Sequence, residues 1–209
     1  MEALQFWAYD ELISKSDVTI VEKSELWNSI LVNTKVLSLK KGETLIKKKE
    51  RDASVYVIIN GAFECNLMMD DNKGKLVWFF LDTLFDAATA LDTFFKGVQT
   101  KYEITAIEDA TVIKFEKSFL EKLCKEHKIF NDFYIHQILN SFFYYFEIRN
   151  NMLALSSFEF LMYLQKNYPF IVERVSSHKL ANFMGITPEW LSKLKRRRVG
   201  ELTNTTSKT

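Results

Sequence analysis

The sequence contains little cysteine, proline or glycine. Its 209 residues include 2 Cys, 2 Pro and 6 Gly. Two cysteines, Cys65 and Cys124, are too few for a disulfide framework or for a four-cysteine zinc or iron–sulfur site. The scarcity of proline and glycine favours long regular elements over irregular loops.

Long hydrophobic runs are also missing. No apolar run approaches the roughly 20 residues that a transmembrane helix needs, and the first residues show neither the basic region nor the cleavage site of a signal peptide. Hydrophobic residues make up 47% and charged residues 26% of the chain, which is typical of globular proteins. The sequence therefore predicts a cytoplasmic protein with no membrane partner.

The small net charge of +1 conceals an uneven distribution. Residues 174–209 contain eight Lys or Arg and two acidic residues, which gives this end a net charge of +6 and leaves −5 for the rest of the chain. A basic end on an acidic body indicates a surface that binds polyanions. A solvated basic tail has the same composition, so charge alone leaves both interpretations open.

The middle of the chain has the pattern of short β-strands. Residues 55–59 are β-branched and aromatic, as in a buried strand, and Asn60-Gly61 behind them is a strong β-hairpin signal that makes 63–68 the returning strand. A turn at 70–74 and a further hairpin at 102–115 follow. Several closely spaced short strands predict an antiparallel sandwich or barrel.

Helical patterns flank the β region. Residues 1–33 and 117–153 have apolar side chains at helical spacing. A capping box, Ser156-Ser157-Phe158-Glu159, starts another helix that ends near Asn167.

The helix that ends near residue 154 is apolar on two sides. Ile135, Leu139, Phe142 and Phe146 repeat at steps of four and three. One apolar side can pack on the β domain, and the other then needs a partner. The heptad-like spacing favours the same helix of a second copy, in a parallel homodimer. Burial of this helix within a monomer is the alternative.

The most informative segment, residues 177–196, has the pattern of a helix-turn-helix. Ala181 is small where two helices would cross closely, and Gly185, four residues later, suits a turn that needs a positive φ. Thr187 can cap the second helix, and Pro188 suits its first position. The apolar residues that would then face the core are Leu180, Phe183, Leu191 and Leu194.

This arrangement leaves polar side chains on the outer face of the second helix. Glu189, Ser192, Lys193 and Arg196 lie there, as in a helix that contacts bases in the major groove. Glutamate can accept a hydrogen bond from cytosine N4, and lysine can donate to guanine O6 and N7. A helical hairpin with a solvated surface is the alternative.

With these segments, the chain resembles the Crp/Fnr family of bacterial transcription regulators over nearly all of its length. The strand-turn segments Leu39-Lys40-Lys41-Gly42-Glu43 and Tyr56-Val57-Ile58-Ile59-Asn60-Gly61 match the glycines of the family's β-roll. Glu189-Trp190-Leu191-Ser192-Lys193 matches the family's recognition-helix pattern of Glu, two residues, Ser and Arg, with Lys in the last place. Lysine lacks the fixed fork of arginine, which makes the guanine contact looser.

The resemblance implies an α+β protein with three parts. Residues 1–129 would form an antiparallel, jelly-roll-like β-roll sensor domain, 130–154 a dimerisation helix, and 155–209 a small winged helix-turn-helix domain. Its implied partners are double-stranded DNA, a second copy and RNA polymerase. The expected DNA-binding residues are Thr187, Glu189, Ser192, Lys193, Arg196, Arg197, Arg198 and Lys179.

The effector site of the family matches poorly. Members that bind cyclic nucleotides have a Gly-Glu pair and a later Arg followed by a small residue. Here Lys101 stands at the position of the Arg and Tyr102 at that of the small residue. No Gly-Glu pair occurs between Trp78 and Lys101. A cyclic phosphate would lose its main charge-assisted hydrogen bonds. The sequence therefore predicts a degenerate effector pocket around Lys101, Tyr102, Phe85 and Asp86, with no cyclic AMP and an effector of unknown identity.

No cofactor, metal site or enzymatic activity is expected. Haem stays open because His127 and His136 exist, although both suit an ordinary surface. Cys124 and His127 could meet on a helix, but nothing marks a third residue to orient the base. The second hypothesis is a ligand-binding or protein-interaction module that no longer contacts DNA.

Overall fold

The structure is a computed structural model that describes residues 20–70, 73–84 and 86–206, with side-chain surroundings for 24–70, 73–84 and 86–197. The chain divides into two compact units, residues 1–142 and 143–209. Within the described part, no helix combines the length and apolar character that crossing a membrane requires.

The first unit is built from two four-stranded antiparallel sheets. One sheet has the order β1-β8-β3-β6 and the other β2-β7-β4-β5. The strands are β1 (Lys35–Leu39), β2 (Thr44–Ile46), β3 (Val55–Asn60), β4 (Ala62–Met68), β5 (Gly74–Leu81), β6 (Ala87–Ala88), β7 (Tyr102–Ala106) and β8 (Ala110–Phe115).

Early and late strands pair with one another in both sheets. Leu37 of β1 lies opposite Val112 of β8, and Thr44 of β2 lies opposite Thr105 of β7. This interleaved order is that of a jelly roll, which confirms the predicted fold class of the β domain.

Helices cover part of this unit. They are α1 (Ile20–Asn33), α2 (Leu91–Lys96), α3 (Lys117–Glu126) and the first part of α4 (Lys128–Ala154). Leu26 and Ile30 of α1 join Phe94 of α2, Leu123 of α3 and Phe130 of α4 in one buried apolar cluster. The predicted helical character of residues 20–33 is thereby confirmed, whereas 1–19 lie outside the described residues.

The predicted hairpin at Asn60-Gly61 is wrong. β3 pairs with β6 and β8, whereas β4 pairs with β5 and β7, so the chain passes from one sheet to the other at Gly61. Gly61 has a φ of 106°, and a Cβ there would lie 2.5 Å from the Cβ of Ala110. The glycine is needed for close packing at a sheet crossing, a requirement that has the same local signature as a hairpin turn.

The predicted hairpin at 102–115 is wrong for the same reason, because β7 and β8 belong to opposite sheets. β4 and β5 form a true hairpin, in which Met68 faces Gly74; residues 71–72 of the predicted turn lie outside the described residues. The predicted helix over 117–153 is interrupted at His127, whose extended conformation separates α3 from α4. The short helix α2, which ends at Gly97 with a φ of 65°, was not predicted.

The second unit is helical in its described part. It contains the end of α4 followed by α5 (Ser157–Asn167), α6 (Pro169–Arg174), α7 (Ser177–Met184) and α8 (Pro188–Thr206). The predicted capping box is present at the start of α5, where Ser156 and Glu159 bond reciprocally. Residues 143–206 contain no strand. The β-hairpin wing that the resemblance implied therefore has no counterpart in this range, where α8 instead continues to Thr206.

Candidate nucleic-acid interface and effector region

The turn of the helix-turn-helix forms as the sequence predicts. The Ser176 hydroxyl caps α7 by accepting from the backbone N–H of Lys179 at 3.4 Å. Gly185 ends α7 with a φ of 70°, in the left-handed region that glycine favours. The N–H of Ile186 then donates to the carbonyl of Ala181 at 3.0 Å, which closes the turn.

The second helix, α8, begins with the predicted cap. The Thr187 hydroxyl accepts from the backbone N–H of Trp190 at 3.2 Å, and Pro188 occupies the first helical position. The side chains that hold α7 and α8 together are buried, as expected; they are Leu180, Ala181, Phe183, Leu191 and Leu194. A further link was not predicted, since Lys195 Nζ donates to Ser177 Oγ at 2.8 Å.

The packing of α8 brings the expected polar residues together on one outward face. Glu189, Ser192, Lys193 and Arg196 are all exposed. Glu189 and Lys193 are four residues apart and thus neighbours on the helix surface. Arg196 Nε donates to the Ser192 carbonyl at 3.4 Å.

The carboxylate of Glu189 is held at the start of α8. Its own backbone N–H, the Thr187 hydroxyl and the nearby His178 together lower the pKa of Glu189 below its ordinary value. The group is therefore ionised at neutral pH and can only accept hydrogen bonds. An acceptor fixed at the exposed end of this helix has the chemistry that the amino group of a cytosine or adenine requires.

The other expected cations lie in different surroundings. The Arg197 guanidinium is exposed but lies over the ring of Phe158 on α5, 4.4 Å from its centre. Lys179 is half-buried on α7. The side chain of Arg198 lies outside the described surroundings. Arg197 is thus anchored on its own unit by a cation–π contact, which the sequence could not show.

One exposed residue on α8 was missed. Trp190 retains 47% of its exposure, beside Glu189 and one turn before Lys193. Its exposure could have been predicted from its position, because Trp190 does not share the inward helix face of Leu191 and Leu194.

The expected dimer residues on α4 are exposed. Ile135, Leu139, Phe142 and Phe146 are between 46% and 64% exposed, whereas Phe130 at the start of α4 is buried. The start of the helix therefore packs on the β unit, as predicted. The exposure of these four side chains favours the expected contact with a second copy over burial within the monomer.

The predicted effector residues border strands of both sheets. Lys101 and Tyr102 stand at the start of β7, where Tyr102 pairs with Leu67 of β4. Asp86 borders the other sheet, where its carbonyl accepts from the N–H of Ile58 at 2.6 Å. Phe85 lies outside the described residues. Two open surface cavities, of ≈ 600 and ≈ 240 Å³, are lined by other residues.

An acidic residue that the sequence reading missed lies beside Lys101. Asp92, in the first turn of α2, accepts from the backbone N–H of Thr93 and from that of Lys101, both at 2.9 Å. These two donors are therefore occupied by a carboxylate, whose negative charge would repel a phosphate at this position.

The two histidines that left haem open lie at different positions on the helices. His127 caps α3, and His136 is exposed on α4. Among the described residues, no group of three or more His, Cys, Asp or Glu side chains could hold a metal ion. Burial raises the pKa of Cys124, aided by the charge of Glu121, which disfavours a reactive thiolate.

Comparison with known proteins assigns the β unit to a domain family and the chain to a fold. Residues 36–127 match the cyclic nucleotide-binding domain. FixK2 from Bradyrhizobium japonicum is 16% identical, with a TM-score of 0.63 over 80% of this chain and 85% of that one. A cyclic nucleotide-binding domain containing protein from Listeria monocytogenes EGD-e is 17% identical, with a TM-score of 0.65 over 86% and 91%.

A transcriptional regulator assigned to the Crp/Fnr family, from Eubacterium rectale, is 14% identical, with a TM-score of 0.61 over 88% of this chain and 85% of that one. No curated protein sequence matches the chain. Residues 36–127 thus match the cyclic nucleotide-binding domain, and the chain has the fold of solved Crp/Fnr transcription regulators.

Proposed function

We propose that the protein is a homodimeric transcription regulator that binds an inverted-repeat operator through its helix-turn-helix. The observation that carries this proposal is the outward face of α8, where an ionised Glu189, a hydroxyl and two cations stand together above a fully packed core. The buried side chains beneath α8 hold this face at fixed positions, as contact with base edges in a major groove requires.

The residues on this face have separate roles. Glu189 and Lys193 contact base edges, one as an acceptor and the other as a donor, and Ser192 contacts a base or a phosphate. Thr187, Lys179, Arg196, Arg197 and Arg198 contact phosphates around them. Phosphate contacts set the register of the protein on DNA, and base contacts select the sequence.

The second half of the proposal is the dimer. The exposed apolar side chains Ile135, Leu139, Phe142 and Phe146 on α4 are the residues that a second α4 would cover. A two-fold dimer would present two copies of α8 about one turn of DNA apart, roughly 34 Å, so the operator is an inverted repeat. RNA polymerase would be the further partner, and the cytoplasm the compartment.

The β unit has a regulatory role without a cyclic nucleotide. Lys101 replaces the arginine of nucleotide-binding relatives, and Asp92 occupies the adjacent backbone donors. Lysine lacks the fixed fork of arginine, and the Asp92 carboxylate occupies donors that a cyclic phosphate could use. We therefore assign the domain to an unidentified effector or to none.

Selection of binding sites from a random DNA pool tests the function. The wild-type protein should enrich an inverted repeat. Glu189→Ala and Lys193→Ala should each cost about 1–3 kcal/mol per half-site and relax one base position. Arg197→Ala should weaken binding to all sequences alike and make the salt dependence shallower.

Lys125→Ala, which removes an exposed lysine from α3, is the control and should leave affinity and motif unchanged. If Lys193→Ala keeps the wild-type motif while Arg197→Ala changes it, the assigned roles are reversed. If the wild-type protein enriches no sequence and shows no salt-dependent shift of genomic fragments, the regulator function is refuted, which favours a ligand-binding module.

A further inference from the structure

Trp190 is an apolar side chain among polar ones. It lies on α8 between Glu189 and the buried Leu191, and its indole is 47% exposed. In the described part of the helix-turn-helix, residues 177–197, it is the only large apolar side chain that is exposed to this degree. Its backbone N–H donates to the Thr187 hydroxyl, and this cap fixes the helix end that positions the indole.

The fold gives no reason for this tryptophan. No ring contact or side-chain hydrogen bond joins the indole to any residue that the structure describes. Single exposed apolar residues are common on protein surfaces. This one, however, is one turn from Lys193, at the end of the helix that the proposed function directs into the major groove.

The major groove offers one apolar group to such a side chain. Guanine, cytosine and adenine present only hydrogen-bond donors and acceptors there, whereas thymine presents its 5-methyl group. We propose that the indole of Trp190 packs against the 5-methyl group of a thymine in each half-site and thereby selects that base. This inference rests on the proposed function, since it names the base that one further residue of the same surface selects.

The test compares the selected operator with copies in which single dT residues are replaced by dU, which removes only the methyl group. For the wild-type protein, dU at one position of one half-site should weaken binding about fourfold, as expected for the loss of one buried methyl. The same substitution in both half-sites removes two methyl groups and should weaken binding roughly fifteenfold. Trp190→Ala should bind the dT and dU operators equally. Trp190→Phe should retain a preference for dT.

A matched control removes an exposed aromatic ring elsewhere. Phe95→Ala, on α2 and 66% exposed, should keep the wild-type response to dU. Thermal unfolding of each variant establishes that it is folded. If Trp190→Ala does not fold, the conservative Trp190→Phe replaces it in the comparison of dT and dU operators.

The outcomes separate this inference from the proposed function. If Trp190→Ala keeps the wild-type sensitivity to dU, or if dU is neutral at every position for the wild-type protein, the thymine contact is refuted while operator binding stands. Failure of the wild-type protein to bind any DNA specifically refutes the proposed function itself.

Discussion

Truncation of the exposed apolar residues on α4 should separate the proposed dimer into monomers. Leu139 and Phe142 are 59% and 64% exposed, and complete burial of such side chains contributes about 1.5–3 kcal/mol each. The exposed part is therefore worth about 1–2 kcal/mol per side chain. Leu139→Ala with Phe142→Ala removes four side chains from a dimer, which gives a loss of roughly 4–8 kcal/mol and weakens the dimer Kd about 10³- to 10⁶-fold.

Sedimentation equilibrium measures this change directly. The wild-type protein should be a dimer at micromolar concentration and the double variant a monomer. Val32→Ala, which removes an 82% exposed side chain from α1, should leave the Kd unchanged. The double variant should also lose affinity for a complete operator while binding a single half-site as the wild type does, because each helix-turn-helix is intact.

Two results would refute this reasoning. One is a wild-type protein that sediments as a monomer at micromolar concentration. The other is a double variant that dimerises with the wild-type Kd, which would show that α4 meets its partner through different residues or not at all.

The remaining predictions concern the effector, the β unit and acid stability. Cyclic AMP should show no binding at micromolar concentration in titration calorimetry, because the Asp92 carboxylate occupies the backbone donors; micromolar binding contradicts this. Gly61→Ala should lower the free energy of unfolding by about 2–5 kcal/mol in denaturant titrations, from backbone strain and a clash with Ala110. Gly42→Ala, at a φ of 89° with open space around it, should cost less. Burial would raise the pKa of Asp52, but bonds from Ser54, Tyr56 and Lys114 outweigh it and hold this pKa below 3.8. Asp52 therefore stabilises the fold above that pH and ceases to do so as pH falls through its lowered pKa, so wild-type stability should fall more steeply with acid than that of Asp52→Asn; equal slopes would contradict this.

The helix-turn-helix could be predicted from its sequence because its constraints are local. A positive φ at Gly185, a cap at Thr187 and the spacing of Leu191 and Leu194 are all set within a few residues. Such requirements leave a direct trace in residue type. The contact of Arg197 with Phe158 leaves none, because it depends on how α5 and α8 pack.

The β unit could be predicted only as a class. Alternation and turn residues located most strands, but the pairing of β3 with β8 and of β4 with β7 joins distant segments. Asn60-Gly61 shows the limit, since a glycine is equally suited to a hairpin and to a crossing between sheets. The short α2 was missed because six residues are too few to establish a helical period.

The pairing of first with last strands sets the order in which the β unit can be completed during synthesis. β1 has no partner strand until β8 has left the ribosome, and β8 also pairs with one edge of β3. Until then the nascent chain has open strand edges that can pair with other chains. Fragments that end before Phe115 should therefore aggregate, and the smallest useful fragment of the β unit must extend past β8.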